Sequence, residues 1–144
     1  MKIASVNIYG QTGMTPTKLL ELDNFIEFNR LDVVCLQETD VRVNTFSECN
    51  MISSNFHIIE NNNRSGYGTC ILVKKCFSIS NINKDPYGRL ICVDLDSCIS
   101  VANVYLHSGT DQESRSSREQ FISDIIPNLM LFKKQGGYLC GDFN

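Results

Sequence analysis

Two acidic side chains follow short apolar runs that are typical of buried strands. Glu38 follows the run Asp32–Leu36, and Asp142 follows the run Tyr138–Cys140. Carboxylates at strand ends are held rigidly beside the loops of a sheet edge, which is a common way to build a divalent-metal site with oxygen ligands. The plainer alternative is that these polar residues only mark the points where two strands end.

Two asparagines have comparable positions. Asn7 lies near the end of the first apolar segment, and Asn144 follows Asp142 by two residues. Their side-chain amides could serve as oxygen ligands or as hydrogen-bond donors to a phosphate. Gly141, just before Asp142, lets the backbone approach a neighbouring segment closely because it has no Cβ. These residues and the two carboxylates form the candidate site.

The elements that must hold these residues begin with a strand–helix–strand unit. Met1–Ile8 is predicted to be a strand, and a helix is predicted from Lys18 to about Arg30, with Thr17 as its cap. The run Asp32–Leu36 is apolar after its first residue, as expected of a strand that is buried on both faces. The polar stretch Thr39–Ser54 has little periodicity, so we predict a loop there.

Short strands separated by turn residues follow, and their close spacing favours antiparallel hairpins or a meander. A second helix is predicted from about Ser114 to Lys134, with a break near Pro127. A last buried strand then begins at Tyr138. The predicted fold class is therefore α/β, a mixed β-sheet layered with helices. The strands predicted between the two helices and after the loop are Phe56–Glu60, Tyr67–Lys74, Phe77–Ile82, Arg89–Leu95 and Ile99–Leu106.

Length and composition indicate one soluble domain that spans residues 1–144. Of the 144 residues, 42% are hydrophobic and 20% are charged, which excludes a disordered chain. The formal net charge is −3, so binding to a polyanion would need a local basic patch or a bound metal ion. Basic residues on the second helix could line a phosphate path, although a solvated helix face is the simpler interpretation. They are Arg115, Arg118, Lys133 and Lys134.

Seven cysteines are present, and none forms a Cys-x-x-Cys pair or lies at zinc-site spacing from a histidine. Four lie within apolar runs, where a thiol behaves as a small hydrophobic side chain: Cys35, Cys70, Cys92 and Cys140. Reduced core cysteines favour a reducing compartment, so we expect an intracellular protein of the nucleus or cytoplasm. We find no signal-peptide pattern, and the apolar runs are far shorter than the ~20 residues that cross a membrane, so no membrane partner is expected.

Six segments, in this order along the chain, resemble sequence motifs of the endonuclease/exonuclease/phosphatase superfamily. Each motif alone has low specificity, but six in the family's order form a specific pattern. They are an opening asparagine motif, a Leu-Gln-Glu-Thr motif, a glycine-led hairpin strand, an arginine-led strand, an Asn-x-Tyr motif and a Gly-Asp-Phe-Asn motif. In this chain they occupy Ser5–Gly10, Cys35–Thr39, Gly66–Val73, Gly88–Leu95, Asn103–Ser108 and Gly141–Asn144.

This resemblance implies both a fold and an activity. The fold would be the first half of a four-layer α/β-sandwich of the DNase-like type. The activity would be phosphodiester hydrolysis that depends on Mg²⁺ or Mn²⁺, with nucleic acid, preferably DNA, as the substrate. The favoured subgroup is the endonucleases of non-LTR retrotransposons. Phosphoinositide phosphatases, sphingomyelinases and RNA deadenylases belong to the same superfamily and remain alternatives.

The resemblance also implies residue roles at the matching positions. Glu38 would hold the metal ion, and Asn7 would help to orient the shell around it. Tyr105 would contact the scissile phosphate. Asp142 would position or deprotonate the attacking water, and Asn144 would hydrogen-bond the phosphate. Such a set is chemically reasonable, because the metal stabilises charge on phosphoryl oxygens while a carboxylate aligns an in-line nucleophile.

The chain also departs from the family pattern. Tyr9 stands where the family often has an acidic or amide residue, and His107 stands where it usually has proline. His107 could contact a phosphate, although a solvated loop histidine is the simpler interpretation. The family's late Asp-x-Asn segment and its terminal Ser-Asp-His motif have no counterpart in the 144 residues.

We therefore expect a truncated domain that is inactive as an enzyme. It would lack the second sheet that completes the sandwich, so one apolar face would have no packing partner. We expect such a domain to have marginal stability or to associate through that face. The alternative function is a non-catalytic relic or fragment of such a domain. A pure interaction domain has no positive support, and nothing in the sequence indicates an oligomeric state.

Overall fold

A computed structural model describes residues 1–8, 15–39, 46, 49–62, 68–132 and 136–144. These residues include eight strands and three helices. The strands are β1 Ile3–Asn7, β2 Val33–Gln37, β3 Phe56–Asn62, β4 Gly68–Lys74, β5 Ile79–Lys84, β6 Leu90–Leu95, β7 Ile99–Tyr105 and β8 Gly137–Asp142. The helices are α1 Pro16–Asn29, α2 Asn50–Asn55 and α3 Gln112–Phe132.

The strands form two four-stranded sheets, the first in the order β1-β2-β4-β3 and the second in the order β5-β6-β7-β8. Each sheet has one parallel pair at an edge, β1 beside β2 and β7 beside β8. The registers place Asn7 beside Gln37 and Tyr105 beside Asp142. Because parallel strands end at the same edge of a sheet, each pair presents its last residues together.

Three apolar clusters define four layers. The first packs α1 and α2 on the outer face of the first sheet, with Ile52 of α2 fully buried. The second lies between the two sheets and contains Ile71 and Ile91, both fully buried. The third packs α3 on the outer face of the second sheet through Phe121 and Ile125. The order is helices, sheet, sheet, helix, which confirms the predicted α/β class and the implied sandwich.

The expectation that the inner apolar face has no packing partner is wrong. The meander β5–β6–β7 and the parallel strand β8 form a second sheet within the 144 residues, and it packs on the first. A different surface remains apolar: Tyr138 is 54% exposed and Leu139 is 51% exposed. The predicted last strand is therefore correct in position but not in burial, because β8 lies at an edge of the second sheet.

Local sequence explains the start of α1. The side-chain oxygen of Thr15 accepts a hydrogen bond from the backbone N–H of Lys18 at 3.3 Å. Pro16 occupies the first helical position, where its missing N–H has no cost. The cap predicted at Thr17 is therefore wrong. The helix ends at Arg30, which adopts a left-handed conformation with φ 52°.

Two further predictions are corrected by tertiary packing. α2 lies partly within the predicted loop, and the burial of Ile52 stabilises a short helix that local sequence does not favour. α3 continues through Pro127 without the predicted break. Ile125 and Leu129, on either side of that proline, both pack against the second sheet and hold the helix there.

None of the described helices has the length and hydropathy required to span a bilayer.

Strand boundaries differ slightly from the prediction. β5 begins at Ile79 because the N–H of Phe77 closes a turn on the carbonyl oxygen of Lys74 at 3.0 Å.

The cysteine prediction is confirmed in part, since all seven thiols are free. Cys140 is only half-buried; the three cysteines buried in the core are Cys35, Cys70 and Cys92.

The inter-sheet core can be tested by truncating one of its side chains. We expect Ile71→Ala to lower the free energy of unfolding by about 2–5 kcal/mol, because it leaves a cavity between the sheets. Ile82→Ala is the control, since Ile82 is 50% exposed on β5 and should cost no more than about 0.5 kcal/mol. Urea unfolding measures both. Similar effects of the two substitutions would contradict a shared inter-sheet core.

Candidate active site

The candidate site lies where the ends of four strands meet at one edge of the two sheets. Asn7 and Glu38 come from the first sheet, and Tyr105 and Asp142 come from the second. The Nδ2 group of Asn7 donates to Glu38 Oε1 at 3.1 Å and to Asp142 Oδ2 at 2.8 Å. The Tyr105 hydroxyl donates to Glu38 Oε1 at 2.9 Å. The structure therefore brings these four sequence-predicted residues into one hydrogen-bonded group.

Asn144 contacts the same group through its backbone. Its N–H donates to Asp142 Oδ1 at 3.1 Å, while its side-chain Nδ2 donates to the carbonyl oxygen of Leu106 at 3.0 Å. Asp142 thus accepts one hydrogen bond on each oxygen, one from Asn144 and one from Asn7. Two fixed donors orient this carboxylate, which leaves the remaining lone pairs of both oxygens in defined directions.

Two glycines allow segments to approach closely beneath the site. A Cβ on Gly141 would collide with the carbonyl oxygen of Val104, and Gly141 has a φ of 152°, which confirms the predicted close approach. A Cβ on Gly68 would collide with the backbone oxygen of Thr39, and Gly68 O accepts the Thr39 N–H at 3.0 Å. Gly68 therefore fixes the residue that follows Glu38.

Glu38 has an unfavourable environment in two respects. Its φ of 56° is left-handed, which costs a non-glycine residue about 1–2 kcal/mol. Its Oε2 atom is buried and has no hydrogen-bond partner in the described part of the chain. A buried carboxylate oxygen without a partner is unfavourable unless a donor or a cation supplies the missing interaction.

A hydrated divalent cation fits this environment. Mg²⁺ is commonly bound through one or two protein carboxylates and keeps several waters, so Glu38 and Asp142, which share the Asn7 amide, could supply the protein ligands. No cluster of three His, Cys, Asp or Glu side chains able to hold a metal occurs among the described residues, so a fully protein-ligated site is not found there. Asn7 presents Nδ2 rather than its oxygen to both carboxylates. Its role as a ligand stays a prediction.

Arg89, to which the sequence assigned no role, lies beneath Tyr105. Its guanidinium carbon is 5.1 Å from the centre of the tyrosine ring, and its Nη1 donates to the Tyr105 carbonyl oxygen at 3.2 Å. Only 3% of Arg89 is exposed. The signal for such a residue is an arginine at the head of an otherwise apolar strand, here Leu90–Leu95.

The protonation of Tyr105 follows from this environment. Burial raises the pKa of Tyr105 to about 12, and the hydrogen bond to Glu38 adds to the rise while Arg89 opposes it. The hydroxyl is therefore a protonated donor at neutral pH.

His107 is half-buried and is not the solvated loop histidine that the sequence favoured. Nη2 of Arg89 lies 3.0 Å from His107 Nδ1. Because arginine can only donate, Nδ1 accepts, and the neutral ring carries its proton on Nε2. Nη1 of Arg118 donates to the carbonyl oxygens of His107 and Gly109, each at 2.7 Å. The interpretation of Arg118 as part of a solvated helix face is therefore also wrong.

Two buried amides, Gln37 and Asn103, also lie next to the site and received no role from the sequence. Asn103 interrupts an apolar run within β7, and Gln37 ends the apolar run of β2. A polar residue that is buried with such a run is the signal that could have singled them out. Several residues of interest lie outside the described part of the chain: Tyr9, Gly10, Gly66, Tyr67, Lys133 and Lys134.

Comparison with known proteins gives a consistent assignment. Residues 4–144 match the model of the Endonuclease/Exonuclease/phosphatase family. The chain is 30% identical over 117 residues to a DNA-(apurinic or apyrimidinic site) endonuclease of Dictyostelium discoideum, covering 76% of this chain and 31% of that protein.

Solved structures share the fold at lower identity. An AP endonuclease from Archaeoglobus fulgidus has a TM-score of 0.76 at 19% identity, covering 99% of this chain and 57% of that one. D. rerio TDP2 complexed with a single-strand DNA product has a TM-score of 0.72 at 16% identity, covering 99% of this chain and 60% of that one. The chain thus spans less than two thirds of the length of each of these proteins. With its DNase-like fold and a family match over residues 4–144, this chain belongs to the Endonuclease/Exonuclease/phosphatase family.

Proposed function

We propose that this chain carries the active-site residues of a metal-dependent phosphodiester hydrolase that acts on DNA, with Mg²⁺ or Mn²⁺ as its cation. The observation that carries the proposal is the convergence of four side chains around the buried Oε2 atom of Glu38, which has no hydrogen-bond partner among the described residues. These side chains are Asn7, Glu38, Tyr105 and Asp142. A structural role does not explain why a carboxylate is buried with one oxygen unsatisfied, whereas cation binding does.

Glu38 would hold the cation through Oε2, and Asn7 would keep the two carboxylates apart by donating to both. When bound, the cation stabilises negative charge on phosphoryl oxygens and lowers the pKa of bound water. Asp142 would accept a proton from a nucleophilic water, because both of its oxygens are oriented by fixed donors and retain acceptor capacity. Asn144 is proposed to hydrogen-bond the phosphate through the second N–H of its side-chain amide, because the first donates to the Leu106 carbonyl oxygen.

Tyr105 supplies a neutral donor in this scheme. Its raised pKa of about 12 keeps the hydroxyl protonated. To donate to a phosphate oxygen, this single O–H would leave Glu38 Oε1, to which it donates at 2.9 Å. The buried guanidinium of Arg89 places a permanent positive charge 5.1 Å from the tyrosine ring. This local charge favours an anionic substrate even though the chain has a net charge of −3.

DNA is the favoured substrate because the relatives named above include an apurinic or apyrimidinic site endonuclease and a protein complexed with single-strand DNA. The preference for the retrotransposon subgroup rests on the overall similarity of the sequence and on its short loops. Phosphoinositide, sphingomyelin and RNA substrates remain the competing candidates within the same fold, and a panel of these substrates would separate them.

Metal binding is the first test. We expect the chain to bind Mn²⁺, measured by calorimetry, and Glu38→Gln to weaken binding about 10-fold or more because it removes the charged oxygen at the buried position. Glu113→Gln is the matched control, since Glu113 is exposed in the first turn of α3. Equal affinities of the wild type and Glu38→Gln would argue against this cation site.

Turnover is the second test. We expect negligible Mg²⁺-dependent nicking of a supercoiled plasmid by the 144-residue chain, because no segment of it matches the Ser-Asp-His motif of the resembled family. Nicking that is abolished by Glu38→Ala would overturn this expectation and establish that these residues suffice. Mn²⁺ binding without nicking would support the catalytic residues being present but incomplete, whereas no binding would support a non-catalytic relic.

The lowered pKa of His107 can be tested through the pH dependence of stability. Burial, assisted by the charges of Arg89 and Arg118, lowers the pKa of His107 below 6.5. The folded state therefore disfavours the protonated ring, so stability is retained above pH 6.5 and is lost as the pH falls from 6.5 towards the lowered folded-state pKa. We expect urea unfolding to show this loss in the wild type but not in His107→Gln. NMR titration of the ring should place its midpoint below 6.5; a midpoint above that value would exclude the burial argument.

A further inference from the structure

A pair of buried amides joins the two sheets directly beneath the candidate site. Nε2 of Gln37, at the end of β2, donates to Oδ1 of Asn103 on β7 at 2.7 Å. The two side chains are 1% and 0% exposed. Gln37 immediately precedes Glu38 in the chain, and Asn103 precedes Tyr105 by two residues on the same strand. The contact therefore joins the segment that carries Glu38 to the strand that carries Tyr105, whose hydroxyl donates to Glu38.

Further hydrogen bonds fix both amides in place. The same Gln37 Nε2 also lies 3.0 Å from the Ser5 hydroxyl and 3.1 Å from the Cys35 carbonyl oxygen. Nδ2 of Asn103 donates to the carbonyl oxygens of Leu36 at 2.8 Å and Cys70 at 3.0 Å. Asn103 thus reaches from the second sheet to two strands of the first. A buried amide that loses its partners is strongly disfavoured, so each bond restrains the relative position of the sheets.

Other directional contacts also cross between the sheets, since Nδ2 of Asn61 on β3 donates to the carbonyl oxygen of Leu90 on β6 at 2.9 Å. The apolar cluster between the sheets does not provide such a restraint. Its buried members are apolar side chains and a thiol, such as Val33, Cys35 and Ile91. Apolar burial depends on the area removed from water and has no preferred direction, so it tolerates small shifts of one sheet over the other. Hydrogen bonds with defined donor–acceptor geometry do not tolerate such shifts.

We propose that the Gln37–Asn103 contact is a positioning device: it sets the register between the two sheets so that the Tyr105 hydroxyl meets the Glu38 carboxylate. Gln37 acts through Glu38, the next residue in the chain, and Asn103 acts through Tyr105, which lies on the same strand. The expected effect on catalysis rests on the proposed function, but the geometric effect does not.

Residues on both sides of Glu38 support this interpretation. Gln37 is anchored to the second sheet, and Thr39, 2% exposed, is anchored to Gly68 of β4 through its N–H. Glu38 lies between these anchors with a φ of 56°. A left-handed conformation of this kind persists only where the surroundings impose it, and the amide contact is one of the two restraints that do so.

The experiment uses the metal-free chain labelled with ¹³C at tyrosine Cζ, whose NMR shift responds to the hydrogen bond of the hydroxyl. Tyr105→Phe assigns the signal among the five tyrosines. We expect Gln37→Met, which keeps the side-chain length, and Asn103→Leu each to move the Tyr105 signal. We also expect each to weaken Mn²⁺ binding by about 10-fold, as for other residues that orient a ligand.

Ser100→Ala is the matched control. Ser100 is a buried polar residue on the same strand, and its hydroxyl donates to Asp94 Oδ1 at 2.6 Å, but it lies at the start of β7. We expect it to reduce stability while leaving the Tyr105 signal in place. Circular dichroism and the amide NMR spectrum establish folding for every variant. Asn103→Ala, which removes the acceptor for Gln37 without adding charge or bulk, is used if Asn103→Leu does not fold, and should also move the signal.

A double-mutant cycle completes the test. If the two amides act through their shared bond, Gln37→Met combined with Asn103→Leu should move the Tyr105 signal by less than the sum of the single effects. A Tyr105 signal that is unchanged in folded Gln37→Met would overturn the proposal. Because this readout needs neither metal nor turnover, a shifted signal in a chain that binds no Mn²⁺ would sustain the positioning role while rejecting the proposed hydrolase.

Discussion

Packing of the two sheets face to face is the constraint on which the candidate site depends. Glu38 and Asn7 belong to one sheet, whereas Tyr105 and Asp142 belong to the other, so neither sheet alone contains the group. The interface consists mainly of fully buried aliphatic side chains, which supply stability but little directional information. Orientation across it comes from a few polar contacts at one edge, including the bonds that Asn7 makes to carboxylates of both sheets.

The negative and positive charges of the site lie in separate places. The two carboxylates face a shared amide group, which donates to both and offsets part of their mutual repulsion. The positive charge of Arg89 lies behind Tyr105, next to His107, and Arg118 holds the loop that follows. In the proposed function, the carboxylate side would attract the cation and the tyrosine side the anionic phosphate, which is the polarity that phosphodiester hydrolysis requires.

Sequence reasoning was most successful where local pattern decides structure. Apolar runs that end in an acid predicted β2 and β8 and placed Glu38 and Asp142 at their ends. Tyr105 came from family resemblance only, because a tyrosine in an apolar strand has no local signal. The contacts of His107 and Arg118, and the amide pair separated by 66 positions, depend on how distant layers pack. Burial of α2 and exposure of β8 depend on the same packing.

Backbone conformation offers an independent argument that Glu38 is functional. Three other non-glycine residues with positive φ have local structural reasons: Arg30 ends a helix, and Asp96 and Ser97 form the turn between β6 and β7. At those positions the left-handed conformation is the usual way to reverse or end an element. The remaining two, Asn81 and Asn144, are asparagines, which tolerate this conformation. Glu38 combines this conformation with a buried oxygen that has no partner in the part of the chain that the structure describes. Asparagine or glycine would adopt this backbone conformation at lower cost. Two unfavourable features in one residue are what the proposed cation site at this carboxylate would produce.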